Sequence, residues 1–191
     1  MTTPHRLSRP IVLTCVALFV AGLVSGLALY ARRSDAVEVH HGDTAAWTVH
    51  LVLTALAVAV VVVLAARGRL VSAVRAPFTR AAAERVRLTV RRAVRSPGAA
   101  VRAVVSLPFA VLFLYGFYRA GEQVFAGLDP SFTANAWGGP SYLGAMYCHY
   151  LDGALLGAVS ALALHGLLLG RRAARSEVRA ASDVRTVVEA G

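Results

Sequence analysis

The sequence predicts an all-α integral membrane protein: one domain over residues 1–191, built as an up-and-down bundle of four transmembrane helices. Three observations predict it. Four apolar runs, at about 11–31, 45–66, 100–120 and 145–170, can each form a helix of ~20 residues. At ~1.5 Å per residue that length matches the ~30 Å hydrocarbon core of a bilayer. The chain is 57% hydrophobic, and the runs take up nearly half of it, which leaves no room for a separate soluble domain. Finally, Arg gathers in alternate segments between the runs.

The first span follows a basic tail carrying Arg6 and Arg9. A signal peptide shares that plan. This run is longer than a signal core, and Ala28-Leu29-Tyr30-Ala31 stands where an Ala-x-Ala cleavage site would be, so it is expected to stay as an anchor. The loop to the second span holds Arg32 and Arg33 against Asp35, Glu38 and Asp43. The segment after the second span carries ten Arg and a single acid, Glu84. Arg119 alone follows the third span, and the tail adds Arg171, Arg172, Arg175, Arg179 and Arg185. The positive-inside rule therefore places both termini in the cytoplasm of a plasma membrane, with the loops after spans one and three outside.

Within the basic segment, residues 77–96 read as an amphipathic helix. Phe78, Ala82, Val86, Val90 and Val94 recur every four residues, with Pro77 at the start and Ser96-Pro97-Gly98 at the end. Arg85, Arg87, Arg91, Arg92 and Arg95 cover its other faces and are expected to meet anionic head groups at the cytoplasmic interface. A second reading makes this helix a dock for an acidic partner.

Pro108 is expected to kink the third span. The outer loop 121–144 mixes Phe125, Phe132, Trp137 and Tyr142 with Gly, Pro and Asn, a composition of ordered turns. It reads either as an aromatic interface belt or as a lid over a pocket. In the fourth span Gly153-x-x-x-Gly157 lies at the depth of Gly22-x-x-x-Gly26 in the first, and Gly166-x-x-x-Gly170 offers a further small face. Small residues four apart let backbones approach, so the first and fourth helices are expected to touch, or one motif to pair two copies in a homodimer.

Polar residues cluster at the outer level. The candidate pocket residues are Arg119, Glu122, His149 and Asp152; nearby are His50 and, in the first loop, His40, His41 and Asp43. Ionisable groups in spans are costly and mark functional sites. Three readings stay open. The groups line the water interface; or His50 and His149 hold a cofactor such as haem between helices; or His149, Asp152, Glu122 and Arg119 form a proton-transfer site or a pocket for a polar head such as a quinone. His165 stands apart near the cytoplasmic end. No structural metal site is expected.

Cys15 and Cys148 fall near opposite faces, too far apart for a disulfide. The absence of Lys reads as the codon usage of a GC-rich genome. The high pI finds its explanation in the membrane, and no nucleic-acid partner is expected. The chain has no P-loop, Gly-x-Ser-x-Gly, His-Glu-x-x-His or Rossmann fingerprint, and four spans without a midplane charge argue against a solo transporter.

Two stretches, Ala120-Gly121-Glu122-Gln123 running to Leu128-Asp129-Pro130, and Leu151-Asp152-Gly153 running to Gly170-Arg171, resemble DoxX-type membrane proteins, a family of small four-helix proteins. The resemblance covers about 50 residues of the second half. That family's Lys after the Gly is absent here, and its motifs sit in the first two helices. The resemblance implies a link to quinone-dependent redox chemistry, with Glu122 and Asp152 facing one outer pocket. The leading functional expectation is a non-catalytic accessory or scaffold subunit of a membrane complex. The alternatives are a small quinone- or haem-linked redox protein and a proton- or lipid-binding pocket protein.

Overall fold

The computed structural model describes residues 6–170. The tail arginines from Arg171 onward lie outside the described residues. Seven helices follow one another: α1 (Arg9–Ala31), α2 (Trp47–Ala66), α3 (Leu70–Arg75), α4 (Arg80–Ala93), α5 (Pro97–Ala126), α6 (Pro130–Thr133) and α7 (Tyr142–Leu167). Four of them, α1, α2 (with the short turn before it), α5 and α7, are long and apolar enough to cross a membrane. The bundle has a basic end, holding residues 67–102, and a cap end, formed by the loops after α1 and α5.

Local chemistry sets the helix limits. Pro10, Pro97 and Pro130 occupy first turns, where a missing N–H costs nothing. The side chains of Thr79, Asp129 and Ser141 accept from backbone N–H groups to cap α4, α6 and α7. Pro108 does not interrupt α5, which runs on through it.

α5 is the hub: α1, α4 and α7 all pack on it. The sequence pattern pointed α1 at the fourth span, and the structure corrects this. Gly22 and Gly26 press on α5 instead. A Cβ on Gly22 would lie 2.0 Å from the Tyr118 carbonyl oxygen, and one on Gly26 2.0 Å from that of Glu122. Gly121 answers from α5, where a Cβ would stand 2.1 Å from the Phe19 carbonyl oxygen. Gly153, Gly157 and Gly166 face open space. The physical reason is that a backbone-to-backbone crossing needs small residues on both helices, and Gly121 supplies the second side.

α2 joins differently. It meets α7 near the cap end, through His50, Thr54 and Trp47. On its other half, Val58 and the four valines at 60–63 are 46–58% exposed.

At the basic end the chain ties itself together. Ser8 N–H donates to Phe78 O at 2.7 Å and Arg80 N–H to Arg6 O at 2.9 Å, which fixes the segment before α1 against the start of α4. Arg85 donates to His165 O at 2.8 Å and Arg102 to Leu167 O at 3.3 Å, so two cations cap the last carbonyls of α7. Leu169 N–H donates to the fully buried Thr89 hydroxyl. Val86 and Val90 of α4, and Val94 just beyond its end, are exposed.

Gly22→Ala and Gly26→Ala are expected to destabilise the detergent-purified protein by about 1–3 kcal/mol, the usual cost of overpacking. Gly157→Ala should leave the melting temperature at or slightly above that of the parent. Parallel thermal melts check both.

Candidate functional site: a capped cleft and two polar nodes

The cap is built by two loops that zip together. Glu38 N–H donates to Ser131 Oγ at 3.1 Å, and His41 N–H to Asn135 Oδ1 at 2.9 Å. Asn135 Nδ2 returns a bond to Val39 O, and Ser131 Oγ one to Ala36 O, both at 3.3 Å. His40 Nδ1 donates to Ala134 O at 2.6 Å, and Ala46 N–H to Trp137 O at 2.8 Å. The outer loop is therefore ordered by main-chain groups of the first loop.

Beneath the cap lies an open cleft of about 360 Å³. Its charged and titratable walls are Glu38, Arg119 and His149; Phe132 and Trp137 supply aromatic faces, and Asn135 an amide. Arg119 sits over the Phe132 ring, 6.0 Å from its centroid. Two of the four candidate residues thus line the cleft. The other two, Glu122 and Asp152, each anchor a separate polar node.

Glu122 is buried at the α1/α5 seam. Its Oε1 accepts from Ser25 Oγ at 3.2 Å and from Tyr118 OH at 3.1 Å, while Oε2 accepts from Arg119. Tyr118 OH also lies 2.7 Å from Ser25 Oγ, so its single proton is shared between that oxygen and Glu122 Oε1. The buried carboxylate therefore has both oxygens satisfied and a cation beside it, as burial of such a charge demands. The same ion pair fixes where Arg119 stands at the cleft wall.

The second node joins α2 to α7. His50 is 2% exposed, and its Nδ1 donates to Ala46 O at 2.8 Å. A carbonyl oxygen only accepts, so that nitrogen carries a proton. Nε2 lies 3.2 Å from Asp152 Oδ2. One further proton is then required between them, held either as an imidazolium N–H on a carboxylate or as a carboxyl O–H on a neutral ring. The pair has zero net charge both ways. Thr54 Oγ1 bonds Tyr147 OH one turn further along, and Trp47 stacks on Tyr147 at 6.0 Å. Trp137 connects node and cleft, its ring 5.7 Å from that of His50.

The expectation that His50 and His149 share a cofactor meets a geometric obstacle. Both His50 nitrogens are engaged, so a haem iron would have to displace Asp152. A quinone ring fits the cleft better, because Arg119 and His149 offer N–H donors and Trp137 and Phe132 offer flat apolar faces. Among the described residues no three His, Cys, Asp or Glu side chains converge as a metal site. Cys15 and Cys148 are both buried and free. Sequence reasoning missed Ser25, Tyr118, Thr54, Tyr147 and Glu38. The signals were there for two of them: Ser25 sits between two seam glycines, and Tyr118 is one helical turn before Glu122.

No family model, curated protein or solved structure matches the chain. The likeness to DoxX-type proteins accordingly rests on the two sequence stretches alone.

Asp152→Leu should cost about 1–3 kcal/mol by leaving His50 Nε2 buried and unpaired. Asp152→Asn should recover most of that loss, because its amide can donate to Nε2 while Nδ1–H stays on Ala46. Melting temperatures of the three proteins in one detergent test this order.

Proposed function

We propose that this chain is a plasma-membrane protein with both termini in the cytoplasm, working as a non-catalytic subunit that binds the polar end of a small amphiphile at the outer leaflet. The observation that carries the reading is the cleft itself: Arg119 and His149 face one cavity of about 360 Å³ under two loops tied together by bonds from the main chain of one to the side chains of the other. Binding is favoured over catalysis because the polar groups nearest the cleft are already committed. Glu122 has both carboxylate oxygens engaged, and His50 and Asp152 satisfy each other. Such groups hold a wall in shape.

The orientation follows from charge. Seventeen of the 20 Arg belong to segments assigned to the cytoplasmic side. In that frame α4 lies at the inner interface. Val86 and Val90, with Val94 just past its end, enter the acyl boundary, and Arg87, Arg91 and Arg95, all exposed, meet anionic head groups with Arg85 and Arg92 alongside.

A redox role is the second reading. A quinone held by Arg119 and His149 would supply electron transfer, and the His50 and Asp152 proton lies one indole ring away. The DoxX-like stretches favour the same class of ligand.

Two measurements test these proposals. In a background with Cys15 and Cys148 replaced by Ser, Asp43→Cys should react with a membrane-impermeant maleimide on intact cells, and Arg69→Cys only after lysis; the reverse pattern overturns the orientation. Trp137 fluorescence, read in a Trp47→Phe protein, should quench saturably with a short-chain ubiquinone analogue or a short-chain phospholipid. His149→Leu should weaken the effective ligand by about tenfold, the equivalent of one lost hydrogen bond of ~1.4 kcal/mol. Quenching unchanged in that variant removes the cleft as the binding place.

A further inference from the structure

A second cavity, unrelated to the cap, opens at the basic end. Its volume is about 470 Å³, and its surface is apolar throughout. One wall is a single face of α1: Val12, Cys15, Val16 and Phe19 stand at i, i+3, i+4 and i+7. The opposite wall carries Val74 of α3 and Phe78 from the turn between α3 and α4. Phe78 is held there by an aromatic cluster, 5.8 Å from Phe113 and 6.0 Å from Phe117. The main-chain bonds of residues 6–8 to 78–80 close the floor.

The groove has a direction. Leu7 and Arg75 mark its end at the basic face, and Phe19 lies near the middle of α1. The seven steps from Val12 to Phe19 climb ~10 Å at 1.5 Å each. A channel that starts at a membrane face and runs apolar to mid-span has the course of one acyl chain. Arg75 is the only charged residue bordering it, and because the wall is apolar throughout, Arg75 lines it with its methylenes and leaves its guanidinium outside. It is exposed and makes no ion pair among the described residues. A cation there selects a phosphate that carries net negative charge.

We propose that this groove is a specific site for one anionic phospholipid of the basic-side leaflet, its acyl chain against the Val12 to Phe19 face and its phosphate on Arg75. A second copy of the chain fits less well. Residues 67–102 hold ten Arg and one acid, so pairing this end with itself brings like charges together. The lipid supplies the missing charge and the apolar filling in one molecule.

The test is a thermal melt of the full chain in neutral detergent, titrated with phosphatidylglycerol or phosphatidylcholine of identical acyl chains. A ligand that binds only the folded state raises the melting temperature saturably. Phosphatidylglycerol should do so at about fivefold lower concentration than phosphatidylcholine. Arg75→Gln should erase that preference, and Arg91→Gln on exposed α4 should keep it. Equal potency of the two lipids, or a preference surviving in Arg75→Gln, overturns the proposal, as does its loss in Arg91→Gln, which would mean diffuse charge attraction. A phosphatidylglycerol bearing a diazirine on its acyl chain supplies a readout on the unmutated protein. Adducts should map to residues 12–19; adducts confined elsewhere, or crosslinks between two copies through this face, overturn it.

Discussion

The position of Arg119 at the cleft wall depends on how closely α1 can approach α5. Between two helices in an apolar medium there is no hydrophobic gain to be had from association, so contact must come from packing and polar bonds. Gly22 and Gly26 remove the side chains that would hold the helices apart, and Gly121 does the same from the other side. Ser25 lies between the two α1 glycines. Its short hydroxyl reaches Glu122 at 3.2 Å because the backbones nearly touch. The carboxylate then retains Arg119, and Arg119 forms a wall of the cleft. Three missing Cβ atoms thus set the position of a guanidinium.

The polar groups within the apolar helices are organised as closed accounts of protons and charge. Glu122 faces one cation and two hydroxyls. His50 and Asp152 share one proton and stay neutral as a unit. Buried ionisable groups are tolerated when paired and hydrogen-bonded, and each node meets that condition. The two nodes flank the cleft without lining it. The groups that do line it, Glu38, Arg119 and His149, come from the first loop, α5 and α7.

Much of the fold is legible in the sequence because length and hydropathy are local properties. The four long helices fall close to the four apolar runs, and the helix at 80–93 lies inside the stretch expected from its four-residue period. Helix partners are a pairwise property, and there the pattern misled. Gly22-x-x-x-Gly26 matched Gly153-x-x-x-Gly157 in depth, yet the partner is set by whichever helix offers a small residue opposite the seam, and that is Gly121. The polar cluster shows the same limit. His50 meets Asp152 while His149 lines the cleft, and three residues turn a helix through ~300°. That offset of ~60° sends Asp152 to His50 and leaves His149 to the cleft. The cap was readable as ordered, though its register was not, because it is fixed by bonds between loops about 95 residues apart.

The attachment of α2 carries a mechanical consequence. A helix of 20 residues is ~30 Å long, and this one is fastened at one end, by an imidazole, a hydroxyl and an indole that meet α7. It is a lever with its pivot at the polar node. A tilt of ~10° about that pivot carries the far end through ~5 Å, the pitch of one helical turn. In such a tilt the loop entering the basic segment at Arg67 would travel furthest and the His50–Asp152 pair least.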